Sequence, residues 1–237
     1  MTGDMWSEVA KNFVARSSII LVDPPGHDGS QALTQTFTFS DCVRCIVGVL
    51  DSLGLEHAHF VGNSWGGMIG ATFAATYPDR VGRSVLMNCT AGPASIRQKI
   101  QYGMLLRMAH LLGGIRPPLT RSVLKAFLGP TTLQTRSDVV AQVRSTVETV
   151  DLISGSWAVK SVVPRRPDQR PLLGNIRTPV LVVAGAEDAT FPPPQAIAMS
   201  QAIPNSSIRV LDGVAHLAAL ENPTLVSSVI NEFLFDR

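Results

Sequence analysis

Two short runs, residues 18–23 and 58–62, are continuously apolar and end in turn residues. That is the pattern of strands covered on both faces, and it confines the chain to folds with a buried, parallel sheet. Between them, residues 41–54 carry apolar side chains at helical spacing, with Asp41 placed to cap the start and Gly54 to stop it. A second helix is expected from just after Ser64 to about Tyr77, where Pro78 ends it. A third strand follows at 84–88. Strand–helix–strand–helix–strand is the rhythm of a parallel sheet with crossover helices, so the fold class is α/β.

The rhythm then breaks. Residues 91–175 show helical patterns, over 95–112, 118–128, 137–153 and 157–163, and no convincing strand. Strands resume at 179–185 and 207–211, with helices at 193–203 and 223–235. The expected organisation is a core in two parts, 1–90 and 176–237, with 91–175 inserted as a helical lid. Such a lid would cover the carboxyl ends of the strands, where ligands bind in such sheets. Met104, Leu105, Met108, Leu111 and Trp157 read as its apolar underside or as its own core.

A chain of 237 residues, 45% apolar and 16% charged, can bury a core that needs neither disulfide nor metal. The three cysteines are too few for a secreted disulfide framework. Cys42 and Cys45 form a CxxC pair without a second pair or histidines nearby, and read as small apolar residues on a helix face. The acidic N-terminus (Asp4, Glu8) does not resemble a signal peptide, and no apolar stretch is long enough to span a membrane. A cytoplasmic location is the expectation. The basic residues are not interleaved with stacking aromatics, which argues against nucleic acid.

Chemistry enters at Gly62-Asn63-Ser64-Trp65-Gly66, a G-x-S-x-G placed where an apolar strand meets a helix. That turn strains the serine backbone and exposes its hydroxyl at the sheet edge. It also aims the first helical N–H groups, that of Trp65 above all, at the site. A serine needs a neighbouring base. His57 and His59 precede or begin a strand, far from Ser64, His110 belongs to the helical segment, and His27 follows the first strand. His216 alone follows the last strand in a loop at the Ser64 edge. Glu187 and Asp188, after the preceding strand, can orient the imidazole, and Asp188 is preferred.

These landmarks resemble the α/β-hydrolase superfamily from Met5 onward. They are residues 23–27 (Asp-Pro-Pro-Gly-His), 62–67 (Gly-Asn-Ser-Trp-Gly-Gly), 77–81, 185–188, and His216 followed by Glu221-Asn222-Pro223. The similarity is to the branch of enol-lactonases, C–C bond hydrolases and small esterases. A serine nucleophile sets it apart from haloalkane dehalogenases and epoxide hydrolases, which carry aspartate there. The resemblance implies a Ser64–His216–Asp188 triad, an oxyanion donor at Trp65, no metal or other cofactor, and a small ester, lactone or vinylogous ketone as substrate. It leaves open cofactor-free haloperoxidase or perhydrolase chemistry, and a catalytically dead relative that binds a ligand. It also implies about three strands ahead of residue 18 and an oxyanion-donating His-Gly loop, so a missing N-terminal start is expected. Thr2 or Gly3 is the substitute donor at hand.

Charge is unevenly spread. Residues 91–175 hold nine Arg and three Lys against four acidic residues, a net of +8, while the remainder of the chain carries −6. That asymmetry fits an anionic small-molecule substrate. The other reading is a lid solvated by arginines, with Arg165 and Arg166 at its surface. Oligomeric state is left open.

Overall fold

The computed structural model describes residues 1–235. After a single 3-10 turn the order is α1 (Ser7–Ala10), α2 (Phe39–Ser52), β1 (Ala58–Asn63), α3 (Trp65–Thr76) and β2 (Val81–Met87). Six helices follow: α4 (Ile96–Leu111), α5 (Leu119–Phe127), α6 (Pro130–Thr135), α7 (Ser137–Thr149), α8 (Leu152–Val162) and α9 (Arg170–Leu173). The chain closes with β3 (Val180–Gly185), α10 (Pro193–Gln201), β4 (Ser206–Leu211), α11 (Ala218–Glu221) and α12 (Pro223–Leu234).

The four strands pair in parallel in the order β1-β2-β3-β4. Their side chains alternate between two apolar layers, because successive residues of a strand point to opposite faces. Leu86, Val180, Val182 and Ala184 join α2, α3 and α10 on one face. Val85, Met87, Leu181 and Val183 join α1, α5, α7 and α12 on the other. The pairings Asn63 with Met87, Met87 with Val183, and Gly185 with Leu211 bring the carboxyl ends of all four strands to one edge.

Several expectations need correction. Residues 18–23 form no strand and pair with none among the described residues. Without a hydrogen-bonded neighbour the run has no sheet to cover it, and Ile19, Ile20, Leu21 and Val22 are exposed. Asp41 is not the cap of α2. Thr38 is, its hydroxyl accepting the Asp41 N–H while the Asp41 carboxylate accepts the Thr38 N–H, a reciprocal capping box. The helix expected over 137–153 is two, because Asp151 turns out of α7 and caps α8 through the Ser154 N–H at 2.8 Å.

Met104, Met108 and Leu111 do not belong to a core. They are exposed, and α4 packs against α8. Cys42 is buried but Cys45 is exposed. Among the described residues no cluster of His, Cys, Asp and Glu could hold a metal ion, and no helix is long and apolar enough to cross a membrane.

Candidate active site

The turn between β1 and α3 is built around Ser64, whose φ of 57° and ψ of −122° are unusual for a residue with a side chain. Such a conformation costs about 1–3 kcal/mol and persists only where its surroundings enforce it. The Ser64 N–H is held by the Met87 carbonyl at 2.8 Å, and its own carbonyl accepts the Met68 N–H at 3.1 Å. Gly62 is required for steric reasons, because a Cβ there would lie 2.5 Å from the Gly66 carbonyl. Gly66 itself meets nothing within 4 Å at the same test. Trp65 opens α3, so its N–H has no carbonyl of its own helix to bond.

His216 lies in the loop after β4, and its Nε2 is 2.9 Å from Ser64 Oγ. Its Nδ1 is 2.9 Å from Asp188 Oδ2. Since a carboxylate only accepts, the proton belongs on Nδ1, which leaves Nε2 to receive the serine O–H. The other Asp188 oxygen accepts the N–H groups of Thr190 and Phe191, at 2.7 and 3.0 Å. Both His216 and Asp188 are buried. Phe127 stacks on the imidazole at 5.5 Å and Phe191 flanks it at 5.6 Å.

Glu187, the alternative acid, points elsewhere and accepts both the N–H and the O–H of Thr131. The remaining histidines are occupied or distant from Ser64. His27 faces a carbonyl at Pro25 and packs on Trp65, His59 Nδ1 accepts the Arg83 N–H, and His110 bonds Ser156. Cys89 lies near Asp188, but burial, and then that carboxylate, push its thiol up to about 12, so it stays protonated. The Gly3 N–H is committed to Asp23 Oδ1 at 2.7 Å.

Sequence reasoning missed the groups that hold His216. Its carbonyl accepts the side-chain amides of Asn63 at 2.9 Å and Asn88 at 3.1 Å, and Asn88 bonds Asn63 in turn. Glu221 accepts the N–H groups of Ala215 and Leu217 on either side of it. The only signal was the place of Asn63 in the elbow and of Glu221 in the His-to-Asn-Pro segment. Arg166, expected at the surface, is 6% exposed. Its Nε donates to the Gly92 carbonyl, its guanidinium lies 5.4 Å from the Phe191 ring, and no carboxylate among the described residues pairs with it. Burial pushes its pKa below the ordinary guanidinium value.

The profile of the family described as alpha/beta hydrolase fold matches residues 1–138. A 2-hydroxy-6-oxononadienedioate/2-hydroxy-6-oxononatrienedioate hydrolase of Paraburkholderia phymatum is 31% identical over 239 residues, covering 97% of this chain and 82% of that protein. Among solved structures, the enol-lactonase of Burkholderia xenovorans superposes with a TM-score of 0.87 at 24% identity, over 99% of this chain and 88% of that one. A thermophilic esterase of Thermogutta terrifontis does so with the same TM-score and identity, over 99% and 85%. With a parallel sheet, a strained serine at its edge and these relatives, the chain belongs to the α/β-hydrolase fold family.

Proposed function

We propose that this hydrolase cleaves a small, carboxylate-bearing carbonyl compound through a Ser64–His216–Asp188 triad. The observation that carries the reading is the pair of 2.9 Å contacts that His216 makes, one to Ser64 and one to Asp188. In this scheme Ser64 Oγ attacks the carbonyl carbon and His216 Nε2 takes its proton. Asp188 stabilises the imidazolium, and the Trp65 N–H steadies the oxyanion. The electron pair of the breaking bond leaves with the departing carbon or oxygen, which His216 protonates. Water, activated by the same histidine, then releases the acyl group from Ser64.

The name of the Paraburkholderia phymatum relative favours a C–C bond of a hydroxy-oxo-dienoate as the bond broken. The lactonase and the esterase, at 24% identity, support the fold alone. The six helices between β2 and β3 serve in this reading as the lid. Arg166, buried beside Phe191, is the cation suited to a substrate carboxylate, since its guanidinium lacks an acidic partner.

The test is covalent. A serine-directed phosphonate is expected to label Ser64, and Ser64→Ala to abolish turnover of a p-nitrophenyl acyl ester. Labelling at another residue, or turnover retained in the variant, sinks the assignment.

A further inference from the structure

Glu221 is buried, 4% exposed, and meets four donors. One carboxylate oxygen accepts the Ala215 N–H at 2.9 Å and the Leu217 N–H at 3.1 Å. The other accepts the Gly129 N–H at 3.0 Å and the Thr132 O–H at 2.7 Å. The first two groups bracket His216, and the last two belong to the turn that opens α6. Arg136, from the residue after α6, donates to the Glu221 carbonyl at 3.1 Å. Glu187, next to Asp188, holds Thr131 of the same turn.

We infer that Glu221 is a positioning residue, which sets the backbone of His216 and ties it to the helical segment at Gly129 and Thr132. The inference rests on the triad reading above. N–H groups on both sides of one residue, bound to one oxygen, restrict the φ and ψ of the residue between. With the His216 carbonyl held by Asn63 and Asn88, the direction of its side chain is set by four hydrogen bonds. An imidazole that must meet two partners at 2.9 Å tolerates little drift. A misplacement of about 1 Å in such a group costs about 100-fold in rate. Gly129 and Thr132 satisfy the second oxygen, so the turn at α6 fixes the clamp through Glu221 and not through the imidazole.

The test measures kcat and KM on p-nitrophenyl butyrate from pH 5 to 9 for the full chain, Glu221→Gln, Thr132→Val and the double variant. Competent sites are counted by end-point phosphonate labelling of Ser64. The kcat per labelled site should fall about 10- to 100-fold in Glu221→Gln and about 3- to 10-fold in Thr132→Val, with KM within about twofold. The acid limb of the kcat/KM profile, set by His216, should shift in both. Because both changes act through one carboxylate, the double variant should be no slower than Glu221→Gln. Unchanged kcat per labelled site, a loss accounted for by fewer labelled sites alone, or additive losses would overturn it. Should Glu221→Gln fail to fold, Thr132→Val decides by the same per-site criterion. A wild-type chain unlabelled at Ser64 would instead overturn the triad reading.

Discussion

The side-chain amide of Asn63 donates to the main-chain carbonyl of His216 at 2.9 Å, so the residue just before the proposed nucleophile holds the proposed base. Asn63→Asp replaces that N–H with an oxygen facing another oxygen. It should cost about 1–3 kcal/mol in stability, the scale for a buried polar group left unpaired. Turnover should fall about tenfold or more at unchanged KM. Chemical denaturation and ester kinetics on the same preparation check both, and an Asn63→Asp chain with wild-type kcat would leave the contact without a role in turnover.

Asp188 and Glu187 are adjacent, yet only Asp188 reaches His216. Asp188→Asn should lower kcat by roughly three to four orders of magnitude, because the amide favours the wrong imidazole tautomer. Glu187→Gln removes one of the two oxygens that accept from Thr131 and should change kcat by less than about threefold, at a cost of ~1 kcal/mol in stability. Matched kinetics and melts of the two variants test the assignment, and reversed effects would make Glu187 the acid.

If Arg166 receives a substrate carboxylate, Arg166→Gln should lower kcat/KM for a carboxylate-bearing ester about 10- to 100-fold. This is the range of a charge-assisted bond of about 1.5–3 kcal/mol. A neutral ester of the same shape should change by less than about threefold. The wild-type preference for the anion should shrink as salt rises. Equal losses on both esters would reduce Arg166 to a structural tie to Gly92.

The thiols should separate by burial. Cys42 and Cys89 are buried, and desolvation pushes each up to about 12, whereas Cys45 is exposed. A thiol reagent at pH 8 should therefore titrate one cysteine quickly in the folded chain and all three after denaturation. The linkage has a definite sign. The unfolded thiols lose their protons near the ordinary thiol value and the folded ones only near 12, so stability falls as pH rises between those limits. Melting temperatures from pH 8 to 11 should decline, and should decline less in Cys42→Ala.

Much of this molecule could be read locally. The runs at β1 to β4 and the helices α2, α3, α10 and α12 follow from apolar spacing and from Gly and Pro at their ends. Ser64, His216 and Asp188 were legible because each lies just past a strand at the same sheet edge. What stayed hidden depends on tertiary neighbours. The run at 18–23 looks like a strand, but a strand exists only if another pairs with it. Arg166 looks like surface because arginine usually is, and its burial against Phe191 has no local signal. The short helices α6 and α9 have too few residues to show a period. Asn63 and Asn88 meet a carbonyl more than 100 residues away, and Glu221 joins its own loop to Gly129 and Thr132, partners that their places in the motifs do not announce.

Ser64 is the first residue after β1, Asp188 the third after β3, and His216 the fifth after β4. Neighbouring strands lie about 4.8 Å apart, so the tip of β4 stands roughly 14 Å from that of β1. The reach required of each loop grows with distance from the serine, and the loops lengthen in the same order. His216 travels farthest, back over β3 and β2. A loop extended that far cannot be stiffened by its own strand, and it is anchored instead at Asn88, just past β2, and at Asn63, the last residue of β1.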